Sequence, residues 1–490
     1  MPPTLTTVIE EARLAAKAVV EYAGGLANPT LRLGVTGLTR AGKTVFITAL
    51  VHALTKGGRL PVFEAYNSGR VARAHLAPQP DDAVPRFDYE GHLRAVIEER
   101  RWPRSTRQVG ELRLAVEYQS ASGRARTLTL DIVDYPGEWL LDLPLLGQSY
   151  AEWSSETLRL SRREPRARLA AAWHAHLATL KPHEPADEAA ALEAARLFTA
   201  YLKDCRDERY AMSLLPPGRF LMPGDLAGSP ALTFAPLEVP DGEPAPAGSL
   251  AAMMERRYEA YRHVVVRPFF RDHFARLDRQ IVLVDALAAL NAGPAALRDL
   301  ESALAAILAC FRAGRRSWLS NMFRPRIDRI LFAATKADHL HHVNHDRLER
   351  ILGRMAERAI ARAEFAGAAV DVVALAAMRA TREAIVTRGR DRLPSIVGVP
   401  AAGETSGEET FDGETEAAMF PGDLPDDPAA LFSATAGAFK GLATSAAGET
   451  DYRFLQFRPP LPETNGGATP TLPHIRLDRA LQFLLGDHLA

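Results

Sequence analysis

The stretch LRLGVTGLTRAGKT, residues 31–44, constrains the fold more strongly than any other part of the chain. It contains Gly37, four further residues, and then Gly42-Lys43-Thr44, which is the phosphate-loop pattern. In that pattern the glycines let backbone N–H groups point at phosphate oxygens, the lysine reaches the β and γ phosphates, and the threonine ligates Mg²⁺. A glycine turn between a strand and a helix is the alternative. The candidate phosphate-binding residues are Gly37, Leu38, Thr39, Arg40, Ala41, Gly42, Lys43, Thr44 and Val45.

Strand-like runs alternate with helical patterns along much of the chain, which predicts an α/β fold with a mainly parallel sheet. Residues 31–36 have a strand pattern, and residues 43–54 have a helical pattern that ends at TKGGR. The runs ELRLAVEY and RTLTLDIVD are separated by the turn-rich QSASG and predict a hairpin. Further strands are predicted in QIVLVD, RILFAAT and VDVVAL, which begin at residues 280, 329 and 370.

Composition divides the chain into five segments. The helix-rich stretch between the predicted hairpin and QIVLVD is too long for a loop, so it predicts an inserted helical subdomain. The predicted segments are an N-terminal helix (1–30), the first part of the core with the phosphate loop and switch regions (31–139), a helical insertion (140–278), the second part of the core with a base-binding motif (279–391), and a β-containing C-terminal extension (392–490).

Charge and cysteine content exclude several classes of protein. The 59 Lys and Arg residues nearly balance the 60 Asp and Glu residues, which gives no reason to expect nucleic-acid binding. Cys205 and Cys310 are too few for a disulfide framework and fit a reducing cytoplasm. Neither a signal peptide nor a transmembrane segment is predicted. An arginine cluster has two interpretations. One is a solvated or ion-paired surface, and the other is a contact with a partner or with an anionic membrane, which would place the protein peripherally at the inner membrane. The cluster consists of Arg312, Arg315, Arg316, Arg324, Arg326 and Arg329.

Two later segments supply partners for a phosphate loop. LTLDIVDYPG ends a strand with Asp134 and then Gly137, so that a carboxylate can hold Mg²⁺ through water and a glycine N–H can contact the γ-phosphate. WPRSTR places Thr106 where Ras-like GTPases carry the switch threonine of the metal site, with Ser105 as the competing hydroxyl. Ordinary turn or capping chemistry is the alternative for both segments. The predicted metal ligands are Thr44, Thr106 and Asp134.

The segment RILFAATKAD points to guanine as the base. An ionised Asp338 can accept hydrogen bonds from guanine N1–H and the 2-amino group, each worth about 1.5 to 3 kcal/mol. Adenine offers a lone pair at N1 and no 2-amino group. Thr335 and Lys336 complete the motif, with the lysine stem along the base, and Ala376 or Ala377 lies where small GTPases present an N–H to guanine O6. The predicted ligands are therefore GTP or GDP with Mg²⁺.

Catalysis is less strongly specified by the sequence. Ras-like enzymes follow the Asp-x-x-Gly motif with a glutamine that orients water, whereas this chain has Glu138. A carboxylate can orient or deprotonate water but also repels the γ-phosphate, so slow intrinsic turnover is expected. Arg40 is a candidate arginine finger supplied in cis, with solvent exposure or a salt bridge as the alternative. The candidate catalytic residues are Lys43, Glu138, Thr106 and Arg40.

A histidine-rich stretch, HLHHVNH, directly follows Asp338. Helical spacing would let His342 and His345 share a face, which makes a metal site conceivable. Packing at the base edge or helix capping is the alternative, and the position beside Asp338 favours it.

Over nearly its whole length the chain resembles the YcjX-like family of bacterial P-loop proteins, also described as a domain of unknown function. The resemblance implies a Ras-like P-loop NTPase core with a mainly parallel sheet, a large helical insertion and a β-containing C-terminal extension. It also implies a stress-associated GTP-binding protein. The stretches that carry it are GLTRAGKT, PQPDDAVPRF, WPRSTR, DIVDYPGEWLLDLP, IVLVDALAALNAGP, PRIDRILFAATKADHLHH and HIRLDRALQFLLGD.

The leading hypothesis is a cytoplasmic, Mg²⁺-dependent GTPase that acts as a regulatory switch on an unidentified protein effector, which could be associated with the membrane. Hydrolysis would relax the segments around Thr106 and Gly137 and change what the helical insertion binds. An ATPase is the first alternative, and equal binding of both bases despite Asp338 would be its sign. A nucleotide-sensing scaffold without significant hydrolysis is the second, and single-turnover hydrolysis would separate it from the switch.

Overall fold

A seven-stranded sheet lies at the centre of the computed structural model, which describes residues 29–38, 40–238, 245–309, 327–406, 408–432, 452, 454–460 and 470–490. Its strands are β1 (Thr30–Gly37), β2 (Val71–Ala77), β3 (Gly110–Gln119), β4 (Ala125–Asp134), β5 (Arg279–Val284), β6 (Arg329–Ala334) and β7 (Ala369–Ala374). The order is β2-β3-β4-β1-β5-β6-β7. The pairs from β4 to β7 are parallel, whereas β3 runs antiparallel to both of its neighbours. The predicted α/β class with a mainly parallel sheet is therefore confirmed.

Helices cover both faces of this sheet, as alternate side chains of its strands require. On β5, Ile281 and Leu283 pack in the same hydrophobic cluster as the helices Lys43–Lys56 and Leu477–Leu485. Val282 and Val284 point to the opposite face and join a second cluster. The other helices are Glu64–Asn67, Tyr89–Ile97, Tyr150–Ser161, Arg166–Leu169, Ala171–Leu177, Glu188–Arg206, Gly218–Leu221, Leu250–Tyr261, Arg267–Asp272, Ala286–Ala292, Pro294–Ala309, His345–Phe365 and Ala429–Phe432.

The helical insertion has its own aromatic core. It follows a 3₁₀ helix, Gly137–Gly147, and its buried Trp153 stacks on Tyr258 with ring centroids 5.1 Å apart. A buried ion pair fastens the insertion to the core, since Arg166 Nη2 lies 2.7 Å from Asp299 Oδ1 in the helix Pro294–Ala309. Residues between Val133 and Leu145, which we call the switch segment, belong to the same hydrophobic cluster as the aromatic core of the insertion. The switch segment and the insertion therefore pack together.

The C-terminal region contains a small antiparallel sheet and a return to the core. Its strands are β8 (Arg382–Arg388), β9 (Asp391–Gly398), β10 (Thr405–Ser406), β11 (Glu409–Thr410) and β12 (Ala417–Met419), and the three-stranded sheet has the order β12-β9-β8. β8 begins before residue 392, so this sheet spans the predicted start of the extension.

The last described stretch, residues 470–490, is bonded to the part of the molecule that contains the predicted phosphate loop and the predicted base-binding motif. The buried Arg279 guanidinium donates to Asp487 Oδ2 at 2.8 Å, and Ala376 N–H donates to Ile475 O at 3.1 Å. His52 Nε2, on the helix that follows the phosphate loop, lies 2.7 Å from Pro470 O. The core is thus completed by residues from the far end of the chain.

Some predictions fall on parts of the chain that the structure does not describe. Residues 1–28 of the predicted N-terminal helix lie outside the described residues, as do the arginines of the cluster other than Arg329. Arg329 Nη1 donates to Phe483 O at 2.6 Å and so helps to hold the last helix. Within the described ranges, no helix has the length and apolarity to cross a membrane.

Candidate functional site

The phosphate loop connects β1 to the helix that begins at Lys43. Gly42 has φ of 81° and Arg40 has φ of 62°, so the loop turns through the left-handed region just before the helix starts. The Lys43 ammonium donates to Gly37 O at 3.1 Å and lies folded back over the loop. Lys43 and Thr44 are both buried. Thr39 lies outside the described residues.

The three predicted metal ligands meet beside this loop. Thr106 Oγ1 donates to Asp134 Oδ2 at 2.7 Å and lies 3.3 Å from Thr44 Oγ1. Asp134 Oδ1 is buried and has no hydrogen-bond partner among the described residues. Burial raises the pKa of Asp134 to about 6, although the positive charge of Lys43 opposes the shift. Two hydroxyls and a desolvated, half-satisfied carboxylate form an oxygen donor set that suits Mg²⁺.

Gly137 lies directly against the phosphate loop. A Cβ atom placed on Gly137 would be 1.7 Å from Gly37 O, far inside the contact distance of any real side chain. Only glycine therefore allows the backbone after β4 to approach the loop this closely. The predicted contact of the Gly137 N–H with a γ-phosphate stays a prediction, and the close approach of Gly137 to Gly37 O places it beside the loop.

A cleft of about 350 Å³ joins the phosphate loop to the predicted base-binding motif. Asp338 is buried at its end, and Asp338 Oδ2 accepts a hydrogen bond from Ala380 N–H at 2.8 Å. Lys336 has φ of 59° and its ammonium lies 2.5 Å from Asp285 Oδ2. The predicted residues that line the cleft are Arg40, Ala41, Gly42, Lys43, Thr44, Val45, Ser105, Thr106, Thr335, Lys336, Asp338, Ala376 and Ala377.

At the predicted base-binding end, two of the predicted residues already have hydrogen-bond partners within the protein. Thr335 N–H and Oγ1 both donate to Val284 O, at 2.9 and 3.3 Å. Ala376 N–H is committed to Ile475 O, whereas no hydrogen bond from Ala377 N–H is found within the described ranges. Ala377 is therefore the better candidate for guanine O6.

Several residues that line one side of the cleft were not predicted from the sequence. Trp102 Nε1 donates to Phe457 O at 2.6 Å, and the Phe457 ring meets the His339 ring at 5.2 Å. Gln456, Phe457 and Met378 also line the cleft. No local pattern marks these residues, because Trp102 and Phe457 lie 355 positions apart.

Two of the candidate catalytic residues are already paired. Arg40 forms an ion pair with Glu208 of the helical insertion, which agrees with the predicted salt-bridge alternative. Glu138 is buried, and its Oε1 lies 3.3 Å from Arg206 Nη1. Glu138 lines a neighbouring cavity of about 200 Å³, whereas it does not contact the nucleotide cleft.

The histidines after Asp338 are arranged differently from the predicted metal pair. His345 Nε2 is buried and lies 2.9 Å from Ala337 O, which holds the base-binding turn. His342 Nδ1 instead lies 2.7 Å from Glu383 Oε2. His339 lines the cleft, which fits the alternative of packing at the base edge, whereas His345 bonds a turn carbonyl, a contact that was not predicted. The predicted pairing of His342 with His345 is not found.

Comparison with known proteins identifies the family. The model of the YcjX-like family, DUF463, matches residues 31–489. The chain belongs to the YcjX-like family. A relative from Escherichia coli (strain K12) named "Ras-like GTPase YcjX" is 38% identical over 476 residues, which cover 94% of this chain and 96% of the relative. A relative of the same name from Shewanella oneidensis (strain MR-1) is 35% identical over 493 residues, which cover 94% and 95%.

The YcjX-like chain has the mainly parallel α/β core expected from its Ras-like relatives. Its strands β1 and β6 fall on the segments predicted as strands, residues 31–36 and RILFAAT. The edge strand β2 was not predicted. Its sequence, VARAHLA, has one buried residue, Ala74, and lacks the apolar alternation of the central strands.

The raised pKa of Asp134 leads to a prediction about the metal-free protein. Since the folded pKa of about 6 exceeds the ordinary value of 3.8, ionised Asp134 destabilises the fold above pH 6, and the penalty disappears as the pH falls toward 3.8. We expect Asp134→Asn, with Mg²⁺ and nucleotide removed, to raise the free energy of unfolding at pH 7.5 by about 1 to 3 kcal/mol. Urea denaturation at pH 7.5 and pH 5 measures this, and the gain should shrink at pH 5. A variant less stable than wild type at pH 7.5 would contradict the assignment.

Proposed function

We propose that this chain is a Mg²⁺-dependent GTP-binding protein that hydrolyses GTP slowly and acts as a regulatory switch, in the cytoplasm and as part of a stress response. The observation that carries the proposal is the single cleft that contains Lys43, the hydroxyls of Thr44 and Thr106, and the buried Asp338. A phosphate-binding end and a base-reading end at opposite sides of one cleft fit a nucleoside triphosphate.

The position of Asp338 supports guanine over adenine. Ala380 N–H fixes Oδ2 of the carboxylate, which orients the group at the end of the cleft. The carboxylate can then accept from guanine N1–H and the 2-amino group, whereas adenine would give it no donor from the base. Lys336 is held by Asp285, and its stem can lie along the base.

The donor set around Asp134 fits a magnesium ion. Thr44 and Thr106 would contribute hydroxyl oxygens, and Asp134 would hold the ion through water, which would also satisfy the unpartnered Oδ1. Bound magnesium neutralises charge on the β and γ phosphates during phosphoryl transfer. The Lys43 ammonium, which now donates to Gly37 O, would move to the phosphates.

The contacts around the switch segment support a coupling to the helical insertion. Gly218 of the insertion packs on Glu138 O so closely that a Cβ would lie 1.7 Å away. Trp139 Nε1 donates to Met222 O at 2.8 Å, and the Arg219 guanidinium carbon lies 3.2 Å from the centroid of the Trp139 ring. A movement of the backbone at Gly137 would therefore displace the insertion, which is the surface we propose for the effector.

The role of Glu138 can be tested separately. To orient water, its carboxylate would have to leave Arg206 and enter the nucleotide cleft. We therefore expect Glu138→Gln to change the single-turnover rate of GTP hydrolysis less than threefold, while Lys43→Ala lowers it at least a hundredfold. A large loss in a folded Glu138→Gln protein would restore the catalytic assignment. A wild-type protein that binds GTP without measurable hydrolysis would favour a nucleotide-sensing scaffold.

Equilibrium titration of GTP, GDP and ATP, each with Mg²⁺, tests the proposed ligand. The expected result is GTP and GDP binding at least a hundredfold tighter than ATP. Equal affinity for GTP and ATP would overturn the assignment of the base and favour an ATPase. Repeating the titration with EDTA tests the metal, and GTP affinity that does not change would contradict the role given to Thr44, Thr106 and Asp134.

A further inference from the structure

Two histidines and a glutamate converge beside the base-binding loop, outside the nucleotide cleft. His342 Nδ1 lies 2.7 Å and His341 Nε2 lies 3.9 Å from the same atom, Glu383 Oε2. One ligand atom from each of the three residues lies within 4.8 Å of the others. The two imidazole rings are tilted by 36° relative to each other, with centroids 4.3 Å apart.

His341 has an unusual environment for a histidine. It is 5% exposed, and neither ring nitrogen makes a hydrogen bond in the part of the chain that the structure describes. A buried polar ring without partners is costly, and native proteins rarely retain one. A metal bound at Nε2 would give that nitrogen a partner, whereas Nδ1 is the buried atom without one among the described residues.

The glutamate is held in place from its other side. Arg379 Nη2 lies 3.6 Å from Glu383 Oε1, so that Oε2 is turned toward the histidines. Glu383 belongs to β8, and the histidines begin a turn whose Asn344 accepts from Leu424 N–H at 2.9 Å and donates to Asp423 Oδ1 at 3.0 Å. The three donors therefore sit on elements that are fixed independently of any ligand, as a preformed metal site requires.

We propose that His341, His342 and Glu383 bind a divalent transition metal of the zinc class, separate from the magnesium site. Two imidazole nitrogens and one carboxylate oxygen, with a fourth position for water, are a common zinc donor set, whereas Mg²⁺ prefers oxygen ligands alone. Tetrahedral ligand atoms about 2.1 Å from the metal are about 3.4 Å apart, and the separations of 2.7 and 3.9 Å lie on either side of that value. Arg379 and Asp423 are the other charged groups nearby, and they carry opposite charges.

The site would join two segments that meet at Asp338. The histidines follow Asp338 in the chain, and Glu383 follows Thr381, whose hydroxyl donates to Asp338 O. A bound metal would therefore fasten together the two segments that position the base-reading carboxylate. The proposal itself concerns metal binding and does not depend on which nucleotide the cleft accepts.

Zinc titration of the full chain tests the proposal. The chain is first treated with a chelator and saturated with Mg²⁺ and GDP, which keeps the magnesium site occupied, and Zn²⁺ is then partitioned against a chromophoric chelator. We expect one equivalent of tightly bound Zn²⁺, and we expect His342→Ala and Glu383→Gln each to weaken its binding at least tenfold. His342 is 63% exposed and Glu383 27%, so both variants should fold, which circular dichroism checks.

The matched control is His263→Ala. His263 is 53% exposed and lies 3.8 Å from one carboxylate, Glu259, without a second histidine nearby among the described residues. Its substitution should leave Zn²⁺ affinity unchanged. Wild-type affinity no higher than that of His342→Ala and Glu383→Gln, or an equal loss in His263→Ala, would overturn the proposal. As a spectroscopic check, Co²⁺ should give the intense visible absorption of a tetrahedral site in wild type and lose it in His342→Ala.

Discussion

Replacement of Asp338 by asparagine is expected to weaken GTP binding at least a hundredfold and to strengthen XTP binding at least tenfold. The carboxylate accepts two hydrogen bonds from guanine, worth about 3 to 6 kcal/mol together, and the asparagine amide turns one acceptor into a donor that opposes guanine. Xanthine carries a carbonyl oxygen at position 2, which the same amide donor can bond. Calorimetric titration of GTP and XTP against both proteins measures the exchange.

The substitution leaves the local fold a replacement contact. Asparagine Oδ1 can still accept from Ala380 N–H, as Asp338 Oδ2 does at 2.8 Å. Asp346→Asn is the matched control, since it makes the same chemical change in a side chain that is 78% exposed and paired with Arg476. It should leave both affinities unchanged. GTP binding that survives Asp338→Asn would mean that the base is read by other groups.

Replacement of Gly137 by alanine is expected to lower both GTP affinity and the single-turnover hydrolysis rate at least tenfold. The new methyl group would lie 1.7 Å from Gly37 O, so the switch segment and the phosphate loop must separate by more than an ångström. Carbonyl oxygen and methyl carbon repel strongly at that distance, and neither backbone has a flexible side chain that can yield. The measurement is nucleotide titration followed by hydrolysis under single-turnover conditions.

Gly147 provides the control for this substitution. It ends the same 3₁₀ helix, and a Cβ placed there meets no atom within 4 Å. Gly147→Ala should therefore bind and hydrolyse GTP as wild type does, with equal or slightly higher stability, because alanine restricts the unfolded chain. If both alanine variants behave alike, the close approach of Gly137 to the loop has no part in function.

The sequence predicted the parts of this protein that depend on local pattern. β1, the helix Lys43–Lys56 and the hairpin of β3 and β4 follow from apolar spacing and turn residues, and the observed bounds differ from the predicted ones by a few residues at most. The phosphate loop and Asp338 were found because their chemistry requires fixed residue types at short spacing. β2 was missed because an edge strand with one buried residue leaves no comparable pattern.

Long-range pairing could not be predicted in the same way. The ion pair between Arg40 and Glu208 joins residues 168 positions apart. The local sequence around Arg40 is equally compatible with this ion pair and with an arginine placed over the phosphates, so it could not decide between them. Glu138 was predicted to be catalytic because it follows Gly137 in the sequence. The orientation of its side chain, however, depends on Arg206, which lies in a distant helix outside the motif. Similarly, His342 meets Glu383 rather than His345 because of how β8 folds back on the base-binding loop.

The contacts of residues 470–490 have a consequence for synthesis of the protein on the ribosome. His52, about two helical turns beyond the phosphate loop, contacts a residue 418 positions later, and translation at about 5 to 20 residues per second needs about 20 to 80 seconds to cover that distance. Until residue 487 is made, the buried Arg279 has Asp328 as a partner but lacks Asp487, so one of the two carboxylates that neutralise this buried charge is missing. The predicted phosphate loop therefore emerges early, but the helix that follows it gains its native surroundings only after residues 470–490 have been translated.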